Sequence, residues 1–446
     1  MPKAVDVAVS VALSDAGEAT RAVALARALR ERRPADHDVR ICFLSGGSRF
    51  EPMIEAAGFS VVACEPRVAG RSIAEDLQWE LPELVGSTEI AAAFLGGQLD
   101  ALRAVRPDVV LHGMWPFGSL AARLIGVPTI AFLPLPLHRA CVTGGLLVDV
   151  PDPVPVLPRL PRPVRRMIAR VGAPMMTRAP IFRQLRLGAA AAAFGWPNEG
   201  PLSFFDALRA DLTLVTDLPS FHERYEVPAG FAVTGPLFAD TWMAAQLGSP
   251  DLDPEVAAAL SDGGRPAVLV TMGSSGTPDV LVEAIRAVAA PVRAGAEGAA
   301  EEEYNVVVLA PPAVCSLAEA QAAVRSHRAL VTDRFIPALA ASRLADVVVS
   351  HGGQGTVQTA LATGTPIVGV GLQLEQQINL DHVMDAGAGI RIQRHRWRAP
   401  VIRHAVRSVV GNRSYRRHAE ELAQAMRTMD GAATAADRMW EFLAKQ

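Results

Sequence analysis

The stretch Ser350-His351-Gly352-Gly353-Gln354-Gly355-Thr356 combines residue types that bind anions in the order a binding turn needs. Asp346 to Ser350 is a short β-branched run and reads as a buried parallel strand. A helical stretch follows to Thr363. A strand that passes through glycines into a helix leaves unpaired N–H groups at the helix start. Those groups and the helix dipole favour an anion, most naturally a phosphate. Gly352, Gly353 and Gly355 let the backbone approach it and take positive φ. His351 can add an imidazole hydrogen bond, and Thr356 can cap the helix or reach a phosphate oxygen. A second strand, Pro366 to Leu372, runs into Gln373-Leu374-Glu375-Gln376. Ligands of open α/β sheets bind at such strand ends, and Glu375 with Gln376 offers acceptors and donors to a polyhydroxylated group. A diphosphate seat beside a polyol reader suits a nucleotide sugar. An ordinary βαβ unit whose glycines only make tight turns would not call for His351 or for the Glu375-Gln376 pair.

These residues need a scaffold, and the chain supplies one. Strand-like runs recur at Val5–Leu13, Val39–Ser45, Phe59–Cys64, Pro107–Gly113, Val127–Pro134 and Asp211–Asp217, then at Pro266–Gly273 and Asn305–Ala310. Helical spacing over Ala19 to Arg32 and up to Ile125 separates some of them. That alternation predicts parallel sheets with helices on both faces. The 446 residues suit two domains of roughly 200 residues each. A net charge of −3 does not call for nucleic acid. Cys42, Cys64, Cys141 and Cys315 lack CxxC spacing, and the first two read as buried thiols. The first residues enter a strand at once and do not read as a signal peptide. No apolar run is long enough to span a membrane, so the expected compartment is the cytoplasm.

The run HGGxGT…ALxxGxPxVxVxxxxEQxxN…GAGxxI, over roughly Phe335 to Ile392, resembles the donor-site signature of family 1 glycosyltransferases of the UDP-glycosyltransferase-like, antibiotic or macrolide type. The resemblance implies an α/β GT-B fold, two Rossmann-like doubly wound domains facing across a cleft. It implies an acceptor domain over 1–237, closing at Gly235-Pro236-Leu237, a linker over 238–264, and a nucleotide-sugar domain over 265–446. The last helix, with Met439, Trp440 and Leu443, would dock back on the first domain. Gly273 and Ser274 resemble the loop that approaches the donor diphosphate. Phe335 takes the place of the residue that stacks on the base, and Ile336 that of the backbone bonding its edge. Thr359 stands where many relatives have a glutamate for the ribose.

The implied activity is inverting, metal-independent hexosyl transfer from UDP- or dTDP-sugar, without a cofactor, to a small hydrophobic acceptor, as in antibiotic biosynthesis. His351, Gly353, Gly355 and Thr356 would hold the diphosphate, and Glu375 and Gln376 the sugar. Met114 and Trp115, after the fourth strand, are the acceptor contacts. Relatives carry a Gly-His pair in the first turn, whose histidine is the general base. Gly17-Glu18 stands there instead. Glu18 or Asp15 can act as a carboxylate base, or Glu18 can simply complement the helix start. His112 ends the fourth strand, where relatives place an orienting aspartate, and is a third candidate or a plain lining residue. A nucleotide-sugar epimerase and a non-catalytic nucleotide-sugar binder share the fold. Asp251-Leu252-Asp253 matches a DxD metal motif by letter but reads as a helix start, so no metal is assigned.

From Pro151 the prolines crowd, and arginines follow from Arg159 to Arg186. Arg165 to Val171 has helical spacing with a basic face. Over 159–186 two occupants suit the segment: a large hydrophobic or anionic acceptor, or an anionic membrane surface in peripheral contact. A solvated basic helix is the plain alternative.

Overall fold

In the first sheet of the computed structural model, seven strands lie in the order β3-β2-β1-β4-β5-β6-β7. They are β1 (Lys3–Ser10), β2 (His37–Ser45), β3 (Ser60–Ala63), β4 (Val109–His112), β5 (Thr129–Leu133), β6 (Leu212–Val215) and β7 (Phe231–Val233). All pairs are parallel. The structure describes residues 3–12, 16–68, 73–79, 83–154, 156–197, 201–238, 252–293, 300–301 and 303–446. Val109–His112 is buried at every position, as a central parallel strand covered on both faces must be. The covering helices include α1 (Ala16–Glu31), α2 (Thr88–Val105) and α3 (Pro116–Leu124). Helix α2 went unread in the sequence, although Ser87 caps it by accepting from the Ile90 N–H. Strand order reverses between β1 and β4, where Ser10 sits opposite His112.

Leu147–Arg170 and Ala244–Met429 form a second compact unit; the first comprises Met1–Leu146, Val171–Met243 and Asp430–Gln446. The second unit repeats the topology with six parallel strands in the order β10-β9-β8-β11-β12-β13. They are β8 (Ala267–Thr271), β9 (Asn305–Leu309), β10 (Ala329–Thr332), β11 (Val347–Ser350), β12 (Ile367–Gly369) and β13 (Gly389–Arg391). The reversal lies between β8 and β11, where Thr271 is opposite Ser350. The remaining elements needed below are α4 (Arg162–Met176), α5 (Gln354–Ala362), α6 (Leu374–Asp385) and α7 (Gly431–Leu443).

Two expected boundaries differ. Leu147–Arg170 belongs with the second unit, not with an acceptor domain over 1–237. The reason is a buried ion network: the Arg391 guanidinium lies 2.6 Å from Asp149, 3.1 Å from Asp152 and 2.7 Å from Asp381. Arg165 adds a two-pronged pair to Asp149, and Gln377 donates to the Val150 carbonyl. The linker over 238–264 is also too long. Residues 239–251 lie outside the described residues, but Pro254–Ser261 is a helix that buries Val256 and Leu260. Asp253 caps it by accepting from the Glu255 N–H and pairs with Arg334. Asp251 is not among the described residues. Helix α4 runs well beyond the Arg165–Val171 expected for it.

Helix α7 packs within the first unit. Ala435, Ala436, Met439, Trp440 and Leu443 join the core under β1 and α1. The Trp440 indole donates to the Leu29 carbonyl. Gly431 is required there, since a Cβ would lie 2.3 Å from the Pro236 oxygen.

Candidate functional site

The second unit's switch point gathers the residues expected to bind an anion. His351 follows β11 and is buried, and its ring lies between two glycines. A Cβ on Gly273 would come within 2.6 Å of its Cε1, and one on Gly353 within 2.6 Å of its Nε2. Gly273 has φ +56° and Gly352 φ +83°, the left-handed region that glycine tolerates. Burial holds the His351 imidazole down to about 4, so it is neutral near pH 7 with one N–H to donate. Its Nδ1 has no hydrogen-bond partner among the described residues. Helix α5 then starts at Gly353 with no side-chain cap. Its first-turn N–H groups have no intrahelical acceptor. Gly355 is exposed beside Thr356, and a Cβ there would meet nothing within 4 Å.

Glu375 and Gln376 open α6, but they do different work. Gln376 is buried. Its Oε1 accepts from the Leu372 and Gln373 N–H groups at 3.0 and 3.2 Å, and its Nε2 donates to Ser275 Oγ at 3.2 Å. It therefore braces the β12–α6 turn against the loop after β8. Glu375 is half-buried, and its Oε1 accepts from Asn379 Nδ2 at 2.6 Å. The same amide donates to the Gly352 carbonyl at 3.0 Å. Asn379 thus ties the Glu375 carboxylate to the glycine turn after β11. Its only sequence signal was its place four residues on, along one helix face. Ser274 is exposed on the loop after β8. Phe335 is 53% exposed, an uncovered aromatic face, while Ile336 beside it is buried.

In the first unit Glu18 is buried near the start of α1. Its Oε1 accepts from the Met114 N–H at 2.8 Å and its Oε2 from the Ala12 N–H at 3.2 Å. It ties the two sides of the β1/β4 switch point together. His112 is fully buried and shares a hydrogen bond between Nδ1 and the Gly113 carbonyl. Burial lowers it to about 4, and its Nε2 is unpartnered. No acceptor can reach that ring in this conformation. Asp15 lies outside the described residues. Met114 is half-buried. Trp115 is mostly a core aromatic, edge-on to Phe94 and Phe117. Its remaining edge lines a recess of about 20 Å³ with Cys64, Glu65, Asp76, Phe94 and Gln98. Sequence spacing gave no reason to single out Glu65 or Asp76, which come from separate segments. No group of three or more His, Cys, Asp or Glu suited to a metal ion occurs among the described residues.

Residues 316–440 match the family described as erythromycin biosynthesis protein CIII-like, C-terminal domain. The PGL/p-HBAD biosynthesis glycosyltransferase of Mycobacterium tuberculosis is 28% identical over 347 residues, covering 76% of this chain and 71% of that one. The chain is similar to glycosyltransferases, and its residues 316–440 match a family of antibiotic biosynthesis. The matched span holds the glycine turn after β11, α5 and α6. Two solved structures share its fold. The glycosyltransferase of kitacinnamycin aligns with a TM-score of 0.61 at 20% identity, over 99% of each chain. The glycosyltransferase SsfS6 of Streptomyces sp. SF2575, complexed with thymidine diphosphate, aligns with a TM-score of 0.52 at 19% identity, over 98% of this chain and 99% of that one.

Proposed function

We propose that this glycosyltransferase inverts the anomeric centre as it moves a hexosyl group from a UDP- or dTDP-sugar to a small hydrophobic acceptor. One observation carries the reading: a neutral, buried His351 held between Gly273 and Gly353 at the uncapped start of α5. There the helix N–H groups of Gly355 and Thr356 and one imidazole N–H meet a diphosphate. They stabilise the charge on the leaving group without reorganising during the reaction. Phe335 stacks on the base with the Ile336 backbone at its edge, and Ser274 reaches the diphosphate. Glu375, aligned by Asn379, accepts from the sugar hydroxyls. Gln376 acts by holding that turn in place. The thymidine diphosphate bound to SsfS6 supports a dTDP donor.

The base is Glu18. Its bonds from the Met114 and Ala12 N–H groups fix the direction of the carboxylate beside Met114. Met114 and Trp115 border the acceptor. Attack on the anomeric carbon expels the nucleoside diphosphate as Glu18 takes the proton. The charge on the leaving group is met by protein dipoles, so chelation by EDTA leaves the rate unchanged.

Calorimetry with dTDP, UDP and their sugars tests the seat. His351→Ala must weaken binding; unchanged affinity overturns it. For catalysis, Glu18→Gln should lower kcat by about 10²–10⁴ with donor binding retained. A normal kcat in Glu18→Gln moves the base to Asp15. Diphosphate released only in the presence of acceptor separates transfer from epimerisation.

A further inference from the structure

Helix α4 is built with its apolar face outward. Val164, Met167, Val171 and Met175 are 37%, 60%, 74% and 79% exposed. Their spacing of three, four and four residues puts them on one side of the helix. The opposite side buries small or polar groups, Arg165, Ala169, Ala173 and Thr177. A surface helix of a globular protein normally does the reverse. The inversion leaves a Met- and Val-lined ridge in water.

The charge around this ridge has one sign. Arg159 to Arg186 contains eight arginines and no aspartate or glutamate. Several are used internally: Arg165 pairs with Asp149, Arg162 and Arg166 pair with Asp385, and Arg186 donates to the Val85 carbonyl. Arg170, beside the ridge, and Arg178 and Arg183, just past the helix, are exposed and enter no ion pair among the described residues. Near the first turn of α4 a recess of about 540 Å³ is lined by Arg159, Arg162, Arg165, Arg391 and Arg396, with no acidic residue on its wall.

We infer that α4 docks this enzyme on an anionic lipid surface. The ridge enters the headgroup–acyl boundary while Arg170, Arg178 and Arg183 lie among the lipid phosphates, and the recess receives a headgroup phosphate. An apolar ridge with a cationic rim matches that environment chemically. A protein partner or second copy would need matching acidic groups at the rim. No helix of the described residues is long and apolar enough to cross a membrane, so the contact is peripheral. An acceptor dissolved in the bilayer would then reach the enzyme without passing through water.

The test uses the full chain with vesicles of phosphatidylglycerol and phosphatidylcholine, and with pure phosphatidylcholine vesicles. The wild type should float with the mixed vesicles and bind the neutral ones on the order of tenfold more weakly or less, with salt removing the difference. Met167→Gln combined with Met175→Gln should weaken binding to both by roughly tenfold. Arg170→Gln combined with Arg178→Gln should abolish the preference for the anionic vesicles. Each variant keeps the wild-type melting temperature and dTDP affinity, because these side chains face solvent. Failure of the wild type to float, or equal binding by all variants, overturns the proposal. So does wild-type self-association that the methionine changes abolish, which would make the ridge a contact between copies. Donor binding is measured separately, so a failure of the donor seat reads out on its own.

Discussion

The two units place a histidine at the same point, the carboxyl end of the strand across the topological switch, and burial holds both rings neutral. What surrounds each histidine differs. In the first unit the protein supplies its own counter-charge: Glu18 accepts from the Met114 and Ala12 N–H groups and closes the switch point from inside. In the second, two glycines wall the imidazole and α5 begins without a side-chain cap. One topology therefore gives a braced joint in one place and an uncapped helix start in the other. The strand order fixes where a crevice can lie. What that crevice can bind depends on whether an internal side chain has already met its N–H groups.

Exchanging the glycines tests the contrast most severely. Gly273→Ala puts a methyl where the His351 ring lies and strains a positive φ. It should reduce nucleotide affinity on the order of 100-fold, comparable to losing a preorganised oxyanion donor, with little loss of stability in the first unit. Isothermal titration with dTDP reads this, and retained affinity would break the comparison. The mirror experiment is Glu18→Ala, which leaves two buried N–H groups without acceptors. It should cost about 2–4 kcal/mol of stability in thermal unfolding, whereas dTDP affinity stays at the wild-type value.

A smaller effect separates sugar from phosphate. Asn379→Ala removes one hydrogen bond from Glu375 and one from the Gly352 carbonyl. It should lower kcat/KM roughly tenfold, as loss of an outer orienting group does, and change dTDP binding less than dTDP-sugar binding. A change equal for both ligands would mean that Asn379 supports only the turn.

The smallest effects are in pH. Unfolding frees His112 and His351 to titrate near their ordinary 6.5, while the folded chain keeps both near 4. The unfolded state then binds more protons in that window, so stability is full above 6.5 and falls as pH drops towards 4. Asp381 has the opposite sign. Burial raises it to about 7, offset only in part by Arg391. Its contribution is present in acid and lost as pH rises through 7. Melting temperature from pH 4 to 8 should thus fall at both ends, and Asp381→Asn should flatten the neutral side.

The strand, glycine turn and helix over 347–362 were legible in the sequence because a β-branched run, a glycine turn and a helix are local signals, and local hydrogen bonding dictates what they form. Ten of the thirteen strands in the two sheets fall on runs read in advance; Phe231–Val233, Ala329–Thr332 and Gly389–Arg391 are too short to show a pattern of their own. The bracing role of Gln376 was not legible, since its partners include Ser275, a hundred and one residues away. The long-range pairs Arg391 makes with Asp149 and Asp152 likewise hide in the sequence and move Leu147–Arg170 into the second unit.

By itself the sequence determined two parallel α/β sheets, a glycine turn leading into a helix and an arginine-rich insertion, because periodicity, turn chemistry and composition act over a few residues. Only the tertiary structure decided that Glu18 closes one switch point, that His351 is caught between two glycines at the other, and that α4 turns its methionines outward. Those outcomes depend on which distant groups share one buried volume, and burial decides which polar atoms must be matched and which stay free for a ligand.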